Sequence, residues 1–72
     1  MEKIIFTIWG YAECDEMKIF LEDTDVVGYK IDSDYSLGKF IFSVYYNEED
    51  EVESLIKRLD DMSIEYLRDY ED

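Results

Sequence analysis

The chain has 72 residues, 47% hydrophobic and 17% aromatic, and its 20 Asp and Glu against seven Lys and Arg give a formal net charge of −13. That length holds one domain, residues 1–72, around a small core, and so apolar a composition excludes an acidic disordered tail. The charge excludes direct contact with nucleic acid or an anionic membrane surface, because phosphates need cations opposite them.

Residues 3–11, KIIFTIWGY, are β-branched and aromatic and read as a first strand. Ile4, Phe6 and Ile8 fall on one face and Ile5, Thr7, Trp9 and Tyr11 on the other, as expected of a central strand. Residues 13–23 read as a helix, with Cys14, Met17, Phe20 and Leu21 at helical spacing and acids between them. A turn at Thr24–Asp25 leads to a second strand over about 26–32. SDYSLG then reads as a hairpin connection, followed by a third strand, KFIFSVYY, at 39–46. Asn47 suits an N-cap, and the acids behind it open a second helix whose apolar stripe is Val52, Leu55, Ile56, Leu59 and Met62.

Two endings fit the last ten residues, SIEYLRDYED. Ile64, Tyr66 and Tyr70 alternate as a fourth strand, while Met62, Tyr66 and Tyr70 also continue the helical stripe. The strand is the preferred reading. It gives an α+β chain in the order βαββαβ, the ferredoxin-like arrangement, with a four-stranded antiparallel sheet and two helices on one face. The alternative is βαββα with a long C-terminal helix.

Chemistry is sparse. With no His and one Cys, the chain lacks zinc ligand sets and Ser/His or Cys/His nucleophiles. Cys14 sits at an apolar helix position and reads as core. DSDYSLG departs from a calcium loop, with Leu37 where glycine is required and Ser43 where the last ligand belongs. No glycine-rich phosphate loop is present, and no acid lies in an apolar run that would raise its pKa. The expectation is a protein without enzymatic activity, cofactor or specific metal. The lone cysteine and the lack of a basic leader or a long apolar stretch point to the cytosol.

The acids themselves remain. Glu48, Glu49, Asp50 and Glu51 fall in the first turn of the second helix, where the dipole favours negative charge by roughly 0.3–1 kcal/mol each. That local reason does not extend to Glu53, Asp60 and Asp61. Acids one turn apart, such as Glu49 and Glu53, are separated by about 6 Å along the axis, near two base steps of a nucleic-acid strand. In size, acidity and lack of catalytic residues the chain resembles the small phage-encoded DNA mimics: anti-CRISPR proteins, anti-restriction proteins and the uracil-DNA glycosylase inhibitor. The resemblance is one of bulk character over the whole chain and rests on no shared motif. It implies an inhibitor of a basic nucleic-acid-handling protein, such as a defence nuclease, acting in the host cytosol. Its acidic contacts would be Glu48, Glu49, Asp50, Glu51, Glu53, Asp60 and Asp61, with Asp32 and Asp34 second.

A different class of function also fits. The sheet face away from the helices would expose Trp9, Ile41 and Tyr45. RNA-binding sheets stack bases at such positions, but phosphates would be repelled here. Aromatic residues of this kind are enriched in protein interfaces. The chain would then be an interaction module (an immunity protein, an antitoxin or a dimerising domain), with a homodimer among the occupants of that face.

Overall fold

The computed structural model describes residues 1–34 and 36–71. The chain runs β1 (Glu2–Trp9), α1 (Tyr11–Asp23), β2 (Gly28–Asp34), β3 (Lys39–Tyr46), α2 (Glu49–Asp61) and β4 (Tyr66–Glu71). The sheet order is β2-β3-β1-β4, with every neighbouring pair antiparallel. This is the ferredoxin-like α+β arrangement, and β4 settles the ambiguous C-terminus as a strand.

The most apolar strands are the central ones. β1 and β3 pair along their full length, with Ile4 opposite Val44, Phe6 opposite Phe42 and Ile8 opposite Phe40. These six side chains point to the helices and are at most 4% exposed. Cys14, Met17, Phe20 and Leu21 of α1 and Val52, Leu55 and Leu59 of α2 close over them in one cluster. Edge-to-face rings extend it: Phe6 with Tyr66 at 5.9 Å and Tyr11 with Phe40 at 5.4 Å between centroids.

Several boundaries differ from the sequence reading. β1 stops at Trp9 because Gly10, at φ 101°, turns the chain into α1. A Cβ at Gly10 would collide with the Glu13 carboxyl. Tyr11 is therefore helical and lies over Phe40 instead of sharing the open face of β1. β2 begins at Gly28 and runs on to Asp34, two residues beyond the expected end. The hairpin connection is correspondingly shorter, and Tyr35 within it lies outside the described residues.

The cap of α2 is Glu48, in an extended conformation and without a side-chain hydrogen bond, so Asn47 does not fill that role. Met62 is 53% exposed and drops out of the apolar stripe, because the helix ends there. Ser63 takes φ 57°, its N–H donates to the Asp60 carbonyl at 3.0 Å, and the Ile64 N–H donates to the Leu59 carbonyl at 3.0 Å. This is a Schellman stop with serine in the position glycine usually holds, and it drops Ile64 into the core beside Leu59.

Candidate functional site

α2 carries six acids against Lys57 and Arg58, and α1 carries five against Lys18. The buried positions of both helices are all apolar, so these charges form the outer surface of the helix layer. Glu49, Asp50, Glu53, Asp60 and Asp61 are exposed and Glu51 is half-buried. From Glu49 to Asp60 the carboxylates extend about 16 Å along the axis.

Two of these groups are steadied by tyrosines beneath them. The Tyr66 hydroxyl donates to Asp60 Oδ1 at 3.2 Å, and the Tyr46 hydroxyl makes a longer contact to Glu49 Oε1 at 3.5 Å. Tyr46 is itself 1% exposed, so its ring is a fixed base. Acids on such supports lose less freedom on meeting a partner than acids on free side chains.

The fold adds residues that the linear sequence does not group with this run. Asp23, Thr24 and Asp25 at the end of α1 meet Asp50, Glu51 and Ser54 of α2 around a cleft of about 230 Å³. Four carboxylates line it, and Glu51 Oε2 is shut off from solvent without a hydrogen-bond partner. Arg58 Nη1 reaches Asp23 Oδ2 at 3.3 Å beside this group. No cluster of three or more His, Cys, Asp or Glu among the described residues has the geometry of a metal site.

The sequence contained a signal for Asp23. Glu22 and Asp23 occupy the last turn of α1, which has no basic residue, and acids there oppose the helix dipole. Asp60 and Asp61 occupy the same unfavourable end of α2. Departures from local stability rules concentrate where function has overridden them.

Asp32 and Asp34 are not part of this surface. They lie on β2, on the same sheet face as Ile41 and Lys39, their register partners, while the helices cover the other face. Trp9, Ile41 and Tyr45 share that open face, with Trp9 42% exposed and the other two half-buried. By register, Asp32, Asp34, Asp69 and Glu71 there stand against Lys3, Lys30 and Lys39, a net charge of about −1 on the face. The chain's negative charge is thus concentrated on the helix layer, and its open sheet face is close to neutral.

Among the described residues no helix is long and apolar enough to cross a membrane. No protein-family model matches the chain, and no curated protein matches it.

Proposed function

We propose that the chain is an acidic protein inhibitor that occupies the nucleic-acid-binding surface of a basic protein, such as a CRISPR effector or a restriction enzyme, in the cytosol. The observation that carries this reading is the placement of Asp60 and Asp61. They add acids beyond Lys57 and Arg58, at the end of the helix where negative charge is locally unfavourable. A solvated helix start accounts for Glu48 to Glu51, but it gives no reason for acids at both ends of α2 and again at the end of α1.

Mechanistically, carboxylates spaced by helical turns stand in for phosphates along about 16 Å of surface. Lys and Arg on the target pair with these carboxylates instead of with phosphates, and cations held near the carboxylates are released as they would be from nucleic acid. Opposite charge also accelerates the encounter. Glu48, Glu49, Asp50, Glu51 and Glu53 form one end of the contact, Asp60 and Asp61 the other, and Asp23 and Asp25 broaden it.

The test is affinity capture. Host lysate passes over the immobilised protein, a salt gradient elutes what binds, and the eluted proteins are assayed for nucleic-acid binding with and without the chain. Basic nucleic-acid-binding proteins should leave at moderate salt and be competed by duplex DNA. The Glu49→Lys/Glu53→Lys variant should retain none of them while keeping its circular dichroism spectrum. Retention that resists salt, or that survives the double substitution, overturns the reading.

A further inference from the structure

We propose that the open face of the sheet is the contact surface of a two-fold homodimer. Charge restricts where two copies can meet. Each carries −13, so contact between their helix layers is strongly repulsive. Stacked through the open faces, the sheets lie about 10 Å apart and the helix layers about 30 Å apart, given helix diameters near 10 Å. That separation exceeds the Debye length of about 8 Å at physiological salt. The register puts four acids and three lysines on the face, a net charge far smaller than the −13 of the whole chain, and the middle of the face is made of Ile5, Thr7, Ile41 and Ser43, all half-buried in the monomer.

The pattern is also self-complementary. The strand register places Lys39 beside Trp9, and Lys3 beside Tyr45, across the β1–β3 pair. A two-fold axis parallel to the strands, between β1 and β3, lays β1 of one copy over β3 of the other. Lys39 then lies opposite the partner's Trp9 and Lys3 opposite the partner's Tyr45, pairings of a cation with an aromatic ring that cation–π attraction favours. The same axis sets Lys30 on edge strand β2 against the partner's Asp69 on β4, since both occupy the row of Ser43 and Ile5. A two-fold perpendicular to the strands exchanges the partners but keeps the matching: Lys39 with Tyr45, Lys3 with Trp9, and Lys30 with Asp32. Sheets pack about 30° apart, so the central rows of Ile5, Thr7, Ile41 and Ser43 stay in register most closely and the outer pairs depend on the reach of the lysine stems.

Size sets the strength. Four strands at about 4.8 Å spacing and eight residues at about 3.3 Å give a face of roughly 500 Å², so a dimer buries about 1,000 Å² in total. That is the lower limit for a specific interface, and it implies a reversible dimer. A basic partner would favour the helix layer instead, and a second copy supplies both the apolar middle and the matching charges. The inference does not depend on the inhibitor reading.

Analytical ultracentrifugation of the full chain from micromolar to millimolar concentration tests it. The mass should rise from 8.7 kDa toward twice that value, and raising NaCl from about 0.01 M to about 0.15 M should strengthen the association as the Debye length falls from about 30 Å to about 8 Å, below the separation of the helix layers. Ile41→Asp places a carboxylate at the centre of the contact and should weaken dimerisation more than about tenfold, the cost of burying an unpaired charge. Lys39→Glu should weaken it in the same direction and serves if Ile41→Asp fails to fold. Glu53→Lys, on the opposite layer, should leave it intact. A monomer at millimolar concentration overturns the proposal. So does a folded Ile41→Asp, or in its place a folded Lys39→Glu, that dimerises as tightly as the parent.

Discussion

Arg58 Nη1 lies 3.3 Å from Asp23 Oδ2, joining the last turn of α2 to the end of α1. The side chains are 40% and 61% exposed, so the ion pair alone is worth about 0–1 kcal/mol. The partners nevertheless differ in what else they do. The Arg58 guanidinium also lies 5.9 Å from the centre of the Phe20 ring, and its partner Asp23 is one of four carboxylates around one cleft. Asp23 is an acid at the unfavourable end of a helix dipole. Arg58→Ala should therefore cost about 1–2 kcal/mol in urea unfolding, through lost stem packing, cation–π contact and unrelieved repulsion. Asp23→Asn should cost nothing or stabilise. Equal losses in the two variants would mean that the ion pair is the whole effect.

Ser63 at φ 57° is the residue that ends α2. A serine in the left-handed region gives up about 1 kcal/mol relative to glycine. Ser63→Gly should raise stability by about 0.5–1 kcal/mol without changing the fold, read as a shift in the urea midpoint at constant slope. A lower midpoint would mean that glycine's extra freedom in the unfolded chain outweighs the relieved strain.

The same residue explains where the sequence was hard to read. The alternation in β1 and β3 and the apolar periodicity of both helices were legible because burial on one face forces them. The stop after α2 was not, because its usual glycine is absent and Met62, Tyr66 and Tyr70 fit a helix as well as a strand. Only the long-range pairing of β4 with β1, Ile8 opposite Tyr66 and Thr7 opposite Leu67, decides the matter. The acid surface was half legible. Glu48 to Glu53 stand together in the chain, but Asp23 and Asp25 join them only when α1 packs beside α2. Asp32 and Asp34 look like further members of the cluster, and it is strand parity that puts them on the opposite side.

Cys14 is 3% exposed. Burial pushes its thiol pKa up, with a smaller downward pull from Lys18 and an upward push from Asp15. A raised pKa means that the folded state holds the proton more tightly than the unfolded one. The resulting stability is complete below the ordinary thiol pKa of about 8.5 and is lost as pH rises through the folded value. The stability gap between the parent and Cys14→Ala should thus shrink above about pH 9. Iodoacetamide should label the native protein slowly at pH 8 and the urea-unfolded chain quickly. Fast native labelling would place the thiol at the surface.

A charge of −13 on 72 residues opposes compaction at every concentration of salt low enough to leave it unscreened. The Arg58–Asp23 pair offsets little of it, since both members are well exposed. Repulsion among the acids of the helix layer should therefore dominate the response to salt. Raising NaCl from about 0.01 M to 1 M shortens the Debye length from about 30 Å to 3 Å, less than the distance between successive helical turns. The melting temperature should rise through this range. Glu53→Lys and Asp61→Lys should each raise it at low salt, with the gain vanishing at high salt. Stability that falls with NaCl would show that attractive ion pairs outweigh the repulsion. The acids would then belong to the fold's own electrostatics, and a partner would not be needed to account for them.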